Sequence, residues 1–350
     1  MAGKQSDVLA VGIVGEDGSL VPREGDFYHL KLFECFRAAG IDIASCDDAD
    51  VILMSIRGLE RFGFERHVLR SAFYRRYRHK IIAYCPLDLK YPRIPGIYPG
   101  ATPFWASVGW AKAGHYVASY IQPHAFNPKR ASRDLLFSFV GSTRTSPVRK
   151  TIMELHDPRA CLVDVDPGTD GRYWWQHAPD KVQDSRARFQ DVMERTKFAL
   201  CPRGVDVSSI RLFEAMEAGC VPVIISDRLV LPEGPNWEAF SIRVPERDVS
   251  RIPAIVAEYE ARFEEMSRQA REAWEAWFSD AATVRSMARW GLDILKDLPP
   301  WKRRTLGFVN WLGTWVLPSN TRFRERLHMA LVTNASRGLK DRVKRLLGRS

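Results

Sequence analysis

Short apolar runs of strand length alternate with stretches of helical periodicity along most of the chain, and the alternation occurs twice. Residues 8–14 read as a buried strand. Residues 27–39 read as a helix, with Leu30, Phe33 and Phe36 on its apolar face and Gly40 at its end. Further strands are expected at 51–56 and 80–84, on either side of a helical stretch at 65–77. The proline- and glycine-rich stretch 85–103 reads as loop. The second series opens with the strand LLFSFVG at 135–141, a helix at 147–155 and the strand ACLVDV at 160–165. After a polar stretch, 166–180, come the strand TKFALC at 196–201, a helix at 209–218 closed by Gly219, and a strand at 221–225. Residues 252–278 keep helical periodicity over about seven turns. Strands buried on both faces need helices on both, so the pattern predicts an α/β protein with a parallel sheet in each half. The halves, 1–130 and 131–300, meet at a linker near 125–134, and a tail follows at 301–350.

A chain of 350 residues that is 45% hydrophobic can bury a core in each half, which excludes a disordered chain or a disulfide miniprotein. The net charge of +10 first suggests a nucleic-acid partner. It is confined to residues 301–350, where 12 lysines and arginines face only Glu325 and Asp341; the other 300 residues carry 40 basic and 40 acidic side chains. The six cysteines are scattered with no zinc spacing and read as reduced thiols of a cytosolic protein. No stretch reads as a signal peptide or as a membrane span, which needs about 20 apolar residues.

Gly12, Gly15 and Gly18 follow the first strand, but as GxxGxxG with no helix directly behind, so a strand-end turn is the better reading than a dinucleotide site. The segment 198–227, FALCPRGVDVSSIRLFEAMEAGCVPVIISD, is more informative. A strand ends at Cys201, a Pro-Arg-Gly loop follows, a helix begins near Ser209, and a second strand begins after Gly219. Ligands of open α/β sheets bind beyond the carboxyl ends of the strands, where this loop falls. Helix-start amides, Arg203 and Arg211 would together favour a diphosphate. Arg211 and Glu214 are three residues apart and share a helix face, and a carboxylate there can accept both hydroxyls of a ribose. Taken alone, the pair could equally be a solvated Arg–Glu contact.

The whole string resembles the exostosin-type glycosyltransferases of the GT47 type. The family pattern is Cys-Pro-Arg-Gly, Ser-x-Arg-x-x-Glu-Ala, Gly-Cys-x-Pro-Val-Ile and Asp. It is met by Cys201 to Gly204, Ser209 to Ala215, Gly219 to Ile224 and Asp227. Upstream, Phe139, Gly141, Arg144 and Arg149 are similar to the family's Phe-x-Gly strand end and its basic residues. Leu231, Pro232 and the stretch from Trp237 to Phe240 continue the likeness, which covers about 135–300. Asp88 with Pro95, Gly96 and Tyr98 is similar to a segment of bacterial relatives. The anchor and stem of eukaryotic members are not seen, and a heparan-type substrate is not expected.

The resemblance implies a GT-B fold: two Rossmann-like domains facing a cleft, the first for the acceptor and the second for a nucleotide sugar, with a basic helical tail added here. It implies a donor site of Gly141, Arg144, Arg149, Arg203, Gly204, Ser209, Arg211 and Glu214, with Glu214 on the ribose and the others near the diphosphate. The expected donor is a UDP-sugar, with inversion at the anomeric carbon and no metal or cofactor. The general base should come from the first domain, where Asp88 is the leading candidate and Asp17, Glu16, His29 and His115 are others. Asp164 and Asp166 imitate a DxD metal motif, but their place after a strand suits a turn or cap. His156 and His177 read as ordinary surface or packing residues. Trp105, Trp110, Trp174 and Trp175 could stack on sugars or simply pack.

The tail interleaves Trp301, Phe308, Trp311 and Trp315 with basic residues. It suits a helix on the anionic inner face of a membrane, or an apolar stripe packed back on the first domain. The expectation is a cytoplasmic, peripheral glycosyltransferase of cell-surface polysaccharide or lipopolysaccharide synthesis, acting on a glycan or glycolipid and binding no nucleic acid. The alternatives are an inactive nucleotide-sugar-binding relative and a membrane-associated scaffold.

Overall fold

The structure, a computed structural model, describes residues 10–15, 18–22, 27–56, 68–85, 92, 94–117, 126, 133–165 and 179–316. Its first sheet is built from β1 (Val11–Val14), β2 (Val51–Ser55), β3 (Ile81–Tyr84), β4 (Gly96–Tyr98) and β5 (Ala111–Ala113). They lie side by side in chain order, every neighbour parallel. The runs VILMS and IIAY are buried along their whole length, as strands covered on both faces must be. Helix α1 (Phe27–Ala38) links β1 to β2 and ends at Gly40, whose φ of +63 suits glycine.

The structure corrects two readings of this half. The proline-rich stretch read as loop contains β4, where Gly96 lies so close to β3 that a Cβ would collide with the Ala83 carbonyl. A buried strand of three residues is too short to show any period. The helical stretch at 65–77 is broken at Ser71, whose hydroxyl accepts from the Tyr74 amide at 3.0 Å and caps α2 (Ala72–Tyr77). A short helix, α3 (Pro103–Ser107), precedes β5. After β1, Gly15 and Ser19 close a turn, with Gly18 at φ +83.

The second sheet comprises β6 (Leu135–Gly141), β7 (Ala160–Asp164), β8 (Thr196–Pro202), β9 (Val221–Ile225) and β10 (Ile242–Arg243), all parallel, in the order β10-β9-β8-β6-β7. Its connecting helices are α4 (Pro147–Ile152), α5 (Pro179–Arg195), α6 (Arg211–Glu217) and α7 (Trp237–Phe240). The expected helix at 252–278 is two helices, α8 (Ile252–Tyr259) and α9 (Phe263–Trp277), separated by a 3-10 turn at Glu260–Arg262. The periodicity survives because Ile252, Val256, Phe263, Met266 and Ala270 all turn to the core.

The chain then returns to the first sheet. Helix α10 (Asp280–Asp297) packs on α1 and β2, and Gly291 permits the approach: a Cβ there would lie 3.0 Å from Val51 Cγ2 and 3.5 Å from Ile82 Cγ1. Helix α11 (Pro300–Val316) follows, with Leu306 buried and Arg303 Nη2 donating to the Ile81 carbonyl at 2.8 Å. The described start of the basic tail therefore packs on the first half, while Trp301 and Phe308 remain 57% and 61% exposed. Between the halves, the buried His115 ring lies against Phe213 of α6 and Phe278. Two parallel sheets with flanking helices make the fold α/β and GT-B-like. Among the described residues no helix is long and apolar enough to cross a membrane.

Candidate functional site

The two sheets differ in a way that locates a site. The first runs in simple chain order, whereas in the second β6 has β7 on one side and β8 on the other. The connections leaving β6 and β8 therefore diverge, and a crevice opens between their carboxyl ends, where α/β sheets receive ligands. The end of β6, the loops after β6 and β8, and the helices α4 and α6 that follow carry seven of the expected donor-site residues: Gly141, Arg144, Arg149, Arg203, Gly204, Ser209 and Arg211.

Glu214 and Arg211 form the centre of this region. The Glu214 side chain is 7% exposed and Arg211 13%, and an Arg211 Nη donates to a Glu214 carboxylate oxygen. Arg211 Nε also donates to the Val140 carbonyl at the end of β6 at 2.9 Å, and its guanidinium lies 4.0 Å from the Phe189 ring centroid on α5. The solvated Arg–Glu alternative is thereby removed: this pair is enclosed, and its arginine is fixed on three sides. Beside it, the hydroxyls of Ser146, Ser208 and Ser209 are buried and have no hydrogen-bond partner among the described residues. Buried hydroxyls are ordinarily satisfied, so three of them in the loops after β6 and β8 mark a place for a polar ligand.

Arg149 takes a different part from the one expected of it. Its guanidinium donates to the carbonyls of Ser142, Pro202 and Arg203 at 3.1, 3.2 and 3.0 Å, tying the loop after β6 to the loop after β8. Gly141 is held close by Phe139, whose Cζ would be 2.9 Å from a Cβ. The Gly204 amide donates to the Ser208 carbonyl at 2.9 Å, closing the loop ahead of the serines. Arg203 donates from Nε to both oxygens of Glu246, at 3.0 and 3.1 Å, and Glu246 in turn receives the Asp227 amide. Arg144 is exposed on the 3-10 turn Thr143–Thr145. The start of α6 is tight, with the amides of Leu212, Phe213 and Glu214 already bonded to the carbonyls of Ser209 and Ile210, so it offers fewer amides to a ligand than expected.

Glu246, Phe189, Ser146 and Ser208 escaped the sequence reading. Ser146 ahead of Pro147 carries a helix-start signal, and Ser208 adjoins the motif, but nothing in the spacing points to Glu246 or Phe189. Asp88, Glu16, Asp17, Asp166, His177, Trp174 and Trp175 lie outside the described residues. His115 is buried, its Nε2 is 3.1 Å from Thr283 Oγ1, and burial lowers its pKa to about 3, so it is a neutral packing residue. His29 is also buried, and His156 is exposed. Trp105 and Trp110 are core residues. Asp164 binds the Thr143 amide and hydroxyl at 3.2 and 2.6 Å, as a turn cap does. Among the described residues no group of three histidines, cysteines or acids is placed to hold a metal.

The profile of the Exostosin GT47 domain matches residues 115–259, the stretch that contains this site. Bovine Exostosin-2 is 37% identical over 112 residues, covering 31% of this chain and 15% of that protein. The Exostosin-1 homolog of Caenorhabditis elegans is 30% identical over 164 residues, 43% of each chain. A probable glycosyltransferase of Arabidopsis thaliana is 29% identical over 145 residues, 39% of this chain and 24% of its own. The chain thus spans less than half the length of each of these relatives. The second sheet, its switch-point crevice and the buried Arg211–Glu214 pair thus lie largely in the stretch that is similar to the Exostosin GT47 domain and to these glycosyltransferases.

Proposed function

We propose that the protein is a glycosyltransferase that moves a sugar from a nucleoside diphosphate, with UDP as the first candidate, to a glycan or glycolipid acceptor. The observation that carries this reading is the enclosed Arg211–Glu214 pair beside three buried serine hydroxyls at the β6/β8 switch point. The carboxylate accepts hydroxyls of the donor ribose, and Arg211 with the serines faces the diphosphate. The acceptor hydroxyl gives its proton to a base, its oxygen forms a bond to the anomeric carbon with inversion, and the bond to the diphosphate oxygen breaks. The departing diphosphate keeps that electron pair, and arginine charge and hydroxyl donors stabilise it without a metal. Arg149 contributes by positioning, since it holds together the two loops that form the crevice.

The names of the exostosin and glycosyltransferase relatives support the reaction class. Six unbridged cysteines fit a reducing, cytoplasmic setting, and the basic segment from residue 301 fits a membrane surface where a lipid-linked acceptor is presented. The test is calorimetric titration of UDP, other nucleoside diphosphates and their sugars. One of them is expected to bind, and Glu214→Gln should weaken it by about tenfold or more, because a charged acceptor is lost. Equal binding by Glu214→Gln at an unchanged melting temperature would remove the ribose assignment. Binding of a donor without transfer or hydrolysis would favour the inactive relative.

A further inference from the structure

A second charged cavity lies at the opposite edge of the first sheet. It has a volume of about 1240 Å³ and is lined by Arg70, Arg75, Arg78, Arg303 and Arg304, with no aspartate or glutamate in its walls. Its floor includes Pro95 and Trp110, which directly precede β4 and β5, and Arg303 bonds the first residue of β3. The cavity therefore sits at the amino ends of the strands, away from the edge where an α/β cleft receives substrates.

The charge there is not accounted for by the fold. Among the described residues none of Arg70, Arg75, Arg78 and Arg304 pairs with a carboxylate, although Arg76 on the same helix pairs with Asp47 at 2.9 Å. A helix C-terminus favours a cation, which explains one arginine at the end of α2 but not five around one cavity. Arg303 is half-buried; its burial, together with the neighbouring Arg78 charge, pushes its pKa down, so it is held against both desolvation and repulsion. An anion seated among these guanidinium groups relieves both.

The outer face of α11 shows what carries that anion. Trp301, Arg304 and Phe308 are three, four and seven positions apart, so they form one stripe, and all three are exposed. Arg303 and Leu306 face inward instead. An exposed tryptophan beside arginines suits the boundary between headgroups and acyl chains, while a soluble anion would gain nothing from it. The rest of the chain from residue 317 has nine basic and two acidic residues, so it is no complement to an arginine cavity but would meet the same anionic surface.

We propose that the arginine cavity between α2 and α11 is a docking site for the phosphate headgroups of an anionic membrane, with Trp301 as its apolar anchor. This goes beyond the transferase reading and does not depend on it. It also places the switch-point cleft and the membrane on different edges of the strands.

The experiment is co-sedimentation of the full chain with vesicles of phosphatidylcholine alone or mixed with phosphatidylglycerol, at the salt concentration where half the wild-type protein is bound to the mixed vesicles. Arg75→Glu with Arg78→Glu, both exposed positions, should weaken binding by about tenfold or more. Arg76→Glu, on the same helix but outside the cavity, should weaken it much less. Trp301→Ala should also lose binding, and glycerophosphoglycerol, the soluble headgroup, should not compete at concentrations matching the lipid. A loss for Arg76→Glu as large, per reversed charge, as that of the double variant would overturn the proposal, since net charge alone would then be acting. So would equal binding to neutral vesicles, competition by the soluble headgroup, or displacement of vesicles by duplex DNA at matched phosphate. Melting temperatures of all variants equal to wild type exclude misfolding as the cause.

Discussion

At the scale of single residues, the motif told which side chains matter but not what each of them holds. Arg211 and Glu214 were legible because a spacing of three on a helix leaves their side chains adjacent whatever surrounds them. Their burial was not legible, because it depends on Phe189 and Val140, which reach the pair from other elements. Arg149 shows the same limit more sharply: its motif position suggested the donor, yet its guanidinium donates to three loop carbonyls brought together by tertiary structure. Replacing it with methionine keeps much of the volume and strands those acceptors, so Arg149→Met should cost about 3 kcal/mol in urea unfolding. Lysine should restore less than half of that, since an ammonium cannot span three acceptors as the planar fork does. Full rescue by lysine would mean that charge, and not the fork, joins the two loops.

Elements were legible in proportion to their length and amphipathicity. The seven-residue strand β6 and the helix α1 fall where the pattern put them, the strand as a largely apolar run and the helix by its period. Leu30, read on the apolar face of α1, is nevertheless 46% exposed, and Leu32 is buried instead. Strand β4 is hidden among prolines and glycines, and the break between α8 and α9 leaves no mark on the apolar spacing. The return of α10 to the first sheet also has no local signal, since it is a choice between two surfaces that could each receive an apolar helix face. Gly291 is the residue that fits it to this one. Gly291→Leu should therefore destabilise the protein by about 1–3 kcal/mol through overpacking against Val51 and Ile82, despite the better helix propensity of leucine. Circular dichroism during urea titration reads the change. Unchanged stability would show that α10 can ride higher on the sheet without loss.

At the scale of the molecule, the halves are joined by charge as well as by packing. Lys31 of α1 meets Asp280 at the start of α10 at 2.8 Å, and Glu217 of α6 lies in the field of both, together with Glu214 and Arg271. Burial first, then the Glu214 charge, raises the Glu217 carboxyl from 4.5 to about 7, Asp280 adding to the shift while Arg271 and Lys31 oppose it. The folded state thus holds this proton more tightly than the unfolded chain does. The stabilising effect is complete below pH 4.5, falls as the pH rises through 7, and is gone above that. Glu217→Gln carries no charge at any pH, so it should match the wild type near pH 4.5 and exceed it at pH 8 by about 1–2 kcal/mol, a figure reduced for the part of the side chain that water still screens. Urea midpoints measured across that range separate the two proteins only if the wild-type curve bends between the two pKa values. A wild-type curve parallel to that of Glu217→Gln would mean that the carboxylate is solvated and that the contact between the halves is looser at this point.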